Sequence, residues 1–159
     1  MVSRIPRQWY FLKMANLVSE RGTCIRRKVG CVLTNKHGHV LATGYNGVPA
    51  NSKHCIDKPC SGAMYKSGEG LDECQAIHAE QNALIQCKNN FEIDSIYCTL
   101  SPCITCVKLF LNTSAKHIYF IKKYVKEEPA KELWLSNGGE SWTYIRKELI
   151  LPECSKSLN

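Results

Sequence analysis

Apolar residues change their spacing several times along the chain, and each change predicts an element. Over residues 7–20 the positions Phe11, Met14, Ala15 and Val18 recur at i, i+3, i+4 and i+7. That is one face of an amphipathic helix, and Gly22 lies just past its expected end. Residues 29–34 and 40–45 read as strands, with hairpin-turn chemistry at 35–38 between them. The stretch 46–75 then loses all periodicity and holds two prolines, four glycines and three cysteines. About 30 residues without regular structure are uncommon in a compact domain unless function or a metal organises them.

Beyond it the pattern alternates. Residues 78–88 read as a helix with Ala79, Ala83, Leu84 and Cys87 on one side, and 95–100 as a buried strand. A helix is expected over 102–112, with Ser101 as its N-cap and Pro102 at its first position. A strand over 116–121, a short helix over 130–136 stopped by Asn137-Gly138-Gly139, and a last strand over 142–145 complete the order. Strands alternating with helices predict an α/β layer fold whose second half is largely parallel. No repeat, low-complexity tract or linker interrupts the chain. Its 159 residues suit a single domain over 1–159.

Composition adds one oddity. Ten cysteines stand in a chain of ordinary apolar content, 44%. No apolar run approaches the roughly 18–20 residues of a membrane span. The first 20 residues, broken by Arg4, Pro6, Arg7 and Lys13, lack the apolar core of a signal peptide. The expected compartment is therefore the cytoplasm (the host's, for a phage protein), where thiols stay reduced. The cysteines are then read as metal ligands, catalysts or small buried hydrophobes. The net charge of +7 favours anionic partners.

The strongest chemical signal comes in two pieces, His78-Ala79-Glu80 and Pro102-Cys103-Ile104-Thr105-Cys106. Cys103 and Cys106, at i and i+3 of a helix start, can converge on one ion, and the helix N-terminus favours their thiolate form. With His78 they make three protein ligands, the count of a catalytic zinc that keeps one position for water. Glu80 is the spare carboxylate beside the metal, fit to move protons. His-x-Glu followed by Pro-Cys-x-x-Cys is the signature of zinc nucleobase deaminases.

Over about residues 17–138 the chain resembles the deoxycytidylate (dCMP) deaminases. The resemblance rests on Thr23-Cys24, Val29-Gly30, Gly44-Tyr45-Asn46-Gly47 with Pro49, and Lys53-His54-Cys55. It continues through Cys74, His78-Ala79-Glu80-Gln81-Asn82-Ala83 and Thr99-Leu100-Ser101-Pro102-Cys103-Ile104-Thr105-Cys106. It implies a three-layer α/β/α cytidine-deaminase fold with a five-stranded mixed sheet. It also implies hydrolysis of dCMP to dUMP, which feeds dTTP synthesis, and usually a homohexamer. dCTP with Mg²⁺ would activate and dTTP inhibit.

Residue by residue, the resemblance makes His78, Cys103 and Cys106 the catalytic zinc ligands and Glu80 the proton shuttle. The Ala79 N–H would hold the pyrimidine O2. Asn46 would lie near the deoxyribose, and Tyr124 near base or phosphate. A second, structural zinc would take Cys24, Cys55, Cys60 and Cys74, or three of these with His54, and would order the long irregular stretch. Arg26, Lys28, Asn46 and Gly47 are the expected contacts of the effector nucleotide.

Cys31, Cys87 and Cys98 are read as core. Cys154 has no assigned role, and His37, His39 and His117 are read as solvated. Lys122, Lys123 and Lys126 are a further basic group, set against phosphate or against solvent. Two rivals remain open at this stage. One is a deaminase of dCTP, cytidine or tRNA adenosine. The other is a non-catalytic zinc module binding nucleic acid or protein. No arginine-rich arm or aromatic–basic interleaving points to a nucleic-acid strand.

Overall fold

The computed structural model describes residues 4–150, so Cys154 lies outside the described residues. In chain order the elements are α1 (Arg7–Ser19), β1 (Gly30–Thr34), β2 (Val40–Tyr45), α2 (Ala79–Gln86), β3 (Ser95–Cys98), α3 (Ile104–Phe110), β4 (His117–Phe120), α4 (Glu127–Ser136), β5 (Ser141–Tyr144) and α5 (Lys147–Ile150). The strands form one sheet in the order β2-β1-β3-β4-β5. β1 runs antiparallel to both β2 and β3, while β3, β4 and β5 are parallel. This is the expected five-stranded mixed sheet.

The period of two along the central strands divides the interior into two layers. Cys31, Leu33, Ile96, Cys98, Ile118 and Phe120 pack with Ala79, Ala83, Cys106, Val107, Phe110 and Trp134 of α2, α3 and α4. Val32 and Tyr97 point the other way, into Phe11, Leu12 and Ala15 of α1 and Ile150 of α5. Helices thus cover both faces. Runs such as 30–34 are buried at every position because neither side of β1 meets water. No helix among the described residues is long and apolar enough to cross a membrane.

Three expectations need correction, and one element was not expected. α3 begins at Ile104 with Cys103 in the capping position, not with Ser101 as cap and Pro102 inside. The Ser101 hydroxyl instead accepts the Tyr124 N–H at 2.8 Å, tying this turn to the end of β4. α4 starts three residues early, because Pro129 falls in the first turn, where a missing N–H costs nothing. α5 has no counterpart in the pattern, since four residues cannot show a helical period. His117 is half-buried: its ring nitrogens face the Ser141 hydroxyl at 3.0 Å and Glu140 at 3.8 Å. His37 and His39 are exposed as expected.

Candidate metal centre and its cavity

α2 is seated by close backbone approach. A Cβ on Gly44 of β2 would stand 2.2 Å from the Ala79 carbonyl oxygen and 2.3 Å from the Ala83 nitrogen. Only glycine lets the first turn of α2 lie this close to the strand, and the matching helix positions are alanines. The Asn82 amide fixes the same turn by donating to the Tyr45 carbonyl at 2.8 Å. His78, at the capping position, has its N–H held by the Gln81 side chain at 2.8 Å.

These constraints aim His78 at the start of α3. Its Nδ1 lies 3.5 Å from the Cys103 sulfur and 3.4 Å from the Cys106 sulfur. The three ligand atoms are within 4.8 Å of one another, and no other such group of His, Cys, Asp or Glu occurs among the described residues. The two cysteines share one negative charge. Cys103, accepting the bond from Cys106, is lowered to about 4 against the opposing effect of burial, and His78 helps. Cys106, the donor, is pushed up. The hydrogen bond to Cys103 raises His78. Two sulfurs and an imidazole nitrogen at this spacing form the soft, compact donor set that suits zinc.

Glu80 is buried, 5% exposed. Burial raises its carboxyl above the usual range, with His78 opposing. Below the centre, Cys31 and Cys98 stand opposite each other on β1 and β3 and are fully buried, which pushes both thiols up. They fill core, as expected. Cys87 is half-buried at the end of α2 and packs on the same core.

A cavity of about 320 Å³ opens onto the centre. His78, Ala79, Glu80 and Cys103 line it, and so do Asn46, Tyr124, Arg26 and Arg27. Ala79 is the first residue of α2, so its N–H has no intrahelical acceptor. The Asn46 side chain is largely occupied: it accepts from the Val29 N–H and donates to the Arg27 carbonyl, both at 2.8 Å. The Gly47 backbone is paired with Ile77 in both directions. Lys28 is exposed and outside the cavity, its ammonium 3.4 Å from the Glu20 carbonyl.

The irregular stretch supplies the cavity's outer wall. Tyr65, Ser67, Gly68 and Leu71 line it. This strap is fastened by the Arg26 guanidinium, which donates to the carbonyls of Gly62, Lys66 and Glu69. Lys126 donates to the Gly68 carbonyl at 2.8 Å. Lys122 and Lys123 are exposed, and Lys123 lies over the Tyr144 ring. The Cys55 and Cys60 sulfurs are 3.9 Å apart. Cys24 and Cys74 do not join them in a ligand group and line the cavity instead. His54 is exposed. The sequence reading named Arg26 and Lys28 but not Arg27, and missed Ser67 and the rest of the strap, because nothing in the local pattern marks which of these side chains face inward.

Residues 6–122 match the family model described as the cytidine and deoxycytidylate deaminase zinc-binding region. A deoxycytidylate deaminase of Schizosaccharomyces pombe is 33% identical over 143 residues, which cover 87% of this chain and 44% of that protein. The chain thus spans less than half of that relative's length. A deoxycytidylate deaminase of Mycobacterium phage D29 is 37% identical over 122 residues, 72% of this chain and 93% of the relative. The crystal structure of a dCMP deaminase from cyanophage S-TIM5 in complex with dCMP and dUMP superposes with a TM-score of 0.65 at 28% identity. The match covers 87% of this chain and 97% of that one.

Proposed function

The chain belongs to the cytidine and deoxycytidylate deaminase family, and from that premise we propose that it is a zinc-dependent dCMP deaminase, releasing dUMP and ammonia. The observation that carries this reading is the His78–Cys103–Cys106 group sharing one cavity with the buried Glu80. His78, Cys103 and Cys106 would hold the zinc. The ion, when bound, acidifies a water toward a pKa of about 7.

The net reaction joins the water oxygen to cytosine C4 and breaks the bond from C4 to the exocyclic nitrogen. Glu80 takes a proton from the water and delivers it to N3. It then takes the proton of the new C4 hydroxyl and passes it to the exocyclic nitrogen, which leaves as ammonia as the C4 carbonyl forms. Burial suits Glu80 to this work, because it raises the carboxyl toward working pH. The Ala79 N–H donates to the pyrimidine O2. Asn46 and Tyr124 flank the sugar and base, a reading supported by their position in the cavity wall.

The finer family properties belong to the same proposal. A single domain assembles as a homohexamer in the cytoplasm and supplies dUMP for dTTP synthesis. dCTP with Mg²⁺ activates it and dTTP inhibits it, through Arg26, Lys28, Asn46 and Gly47. The support for this regulation is the resemblance around Gly44–Gly47. A second zinc on Cys24, Cys55, Cys60 and Cys74 is supported by the Cys55–Cys60 separation of 3.9 Å. Two thiolates on one tetrahedral zinc stand about 3.8 Å apart. Cys24 and Cys74 would have to close onto that pair.

The test is ammonia release from a panel of dCMP, dCTP, cytidine and deaminase-competent tRNA, with zinc counted on the same sample. dCMP should react fastest, and Glu80→Ala should keep its zinc and lose activity. A preference for another compound would overturn the substrate, and inertness to all would favour a binding module.

A further inference from the structure

Two outer walls of the cavity are anchored to different parts of the frame. The strap, residues 61–74, is closed at its neck, where the Gly62 N–H and the Ser61 hydroxyl both donate to the Glu73 carbonyl. Arg26 and Arg27 fasten it on the β1 side. The other wall is the turn after β4, residues 122–126, which carries Tyr124. It is tied to the metal-binding turn through Ser101. The Ser101 N–H donates to the Lys122 carbonyl and its hydroxyl accepts from the Tyr124 N–H, both at 2.8 Å.

The two walls meet at Gly68. A Cβ there would stand 3.2 Å from Val125 Cγ2 and 3.5 Å from the Tyr124 hydroxyl oxygen, so the bare glycine lets the seam close tightly. Among the described residues one hydrogen bond crosses the seam, from the Lys126 ammonium to the Gly68 carbonyl at 2.8 Å. Gly68 and Tyr124 line the cavity, and Lys126 stands outside the lining. Two separately anchored pieces joined by one charge-assisted bond part more easily there than within either piece.

We propose that Lys126 is the latch of this seam. Its ammonium holds the two walls together over a bound nucleotide, and the bond breaks for the nucleotide to enter or leave. This rests on the reading of the cavity as a nucleotide site. Lys126 is a positioning residue: it acts through the Gly68 carbonyl and holds the strap against Tyr124. The latch grips the protein and not the ligand, so it serves a nucleotide and its nucleoside alike.

The experiment uses the zinc-loaded full chain as wild type, Lys126→Met, which keeps the apolar stem, and Lys126→Arg, which keeps a charged donor. Stopped-flow measures dissociation of dUMP and of deoxyuridine, and hydrogen exchange follows the amides of residues 66–70 without ligand. Lys126→Met should raise both dissociation rates by about 3- to 10-fold, raise KM for dCMP, and quicken exchange at 66–70 by a similar factor. Lys126→Arg should restore wild-type behaviour within about twofold. If Lys126→Met fails to fold, Lys126→Gln carries the same comparison. Unchanged dissociation and exchange in the folded variant would overturn the latch. So would an effect confined to dUMP, which would make Lys126 a ligand contact, or a failure of Lys126→Arg to restore. A wild type that neither binds dUMP nor turns over dCMP would overturn the functional reading, and the exchange comparison would still decide whether Lys126 closes the seam.

Discussion

Cys103 and Cys98 show how one residue type takes two opposite characters a few positions apart. Cys103 sits half-exposed at a helix start beside a second sulfur and an imidazole, and its thiol is lowered to about 4. Cys98 is fully buried in β3 and its thiol is pushed up. Alkylation with iodoacetamide, mapped by mass spectrometry, should separate them. In the zinc-loaded protein neither should react. After treatment with a strong chelator, Cys103 should become labelled while Cys31 and Cys98 stay protected until the protein unfolds. Labelling of Cys31 in the native state would contradict its burial. The metal-centre residues were legible from sequence because each cluster is local: His78 with Glu80, and Cys103 with Cys106, lie within a single turn. Arg27 was not legible, since its inward direction is set by a strap some 40 residues later (|i−j| = 40 to Ser67).

At the scale of elements, the fit of α2 on β2 sets the position of His78. Gly44→Ala would place a methyl group within 2.3 Å of backbone atoms of α2. It should destabilise by about 1–3 kcal/mol in urea unfolding and lower activity further than the lost stability explains, because the helix carries a ligand. On the opposite face Tyr97, packed on Phe11 and stacked on Tyr119, is pushed up to about 12 by burial. The unfolded chain ionises its tyrosines near pH 10, so the folded state binds more protons above that pH. Stability should be complete below about pH 10 and fall as pH rises toward 12, and the fall should shrink in Tyr97→Phe. The helices and strands themselves were readable wherever a period of 3.6 or 2 had room to repeat. The misread boundaries lie where long-range bonds override local chemistry, as with Ser101 and the Tyr124 amide.

At the scale of the molecule, a regular three-layer frame carries one large irregular segment. The frame follows from the alternation of elements, and the segment does not, because its shape depends on side chains reaching in from elsewhere. Whether it is also organised by metal can be counted. Two zinc ions per chain would support the four-cysteine site, and Cys60→Ser should then lose one and speed proteolysis within residues 55–74. One ion per chain, unchanged in Cys60→Ser, would remove that site.

The strap's fastening has a further consequence for how this protein tolerates change. Arg26 grips carbonyl oxygens, which every amino acid supplies. Lys66 and Glu69 can therefore drift freely while their backbone stays clamped. Gly68 and Gly70, at φ of +84° and +56°, cannot. A saturation library over residues 61–70, selected for activity, should accept most substitutions at Lys66 and Glu69 and few at the two glycines. A wall fixed by its backbone and variable in its side chains lets mutation sample new substrate contacts without first dismantling the scaffold.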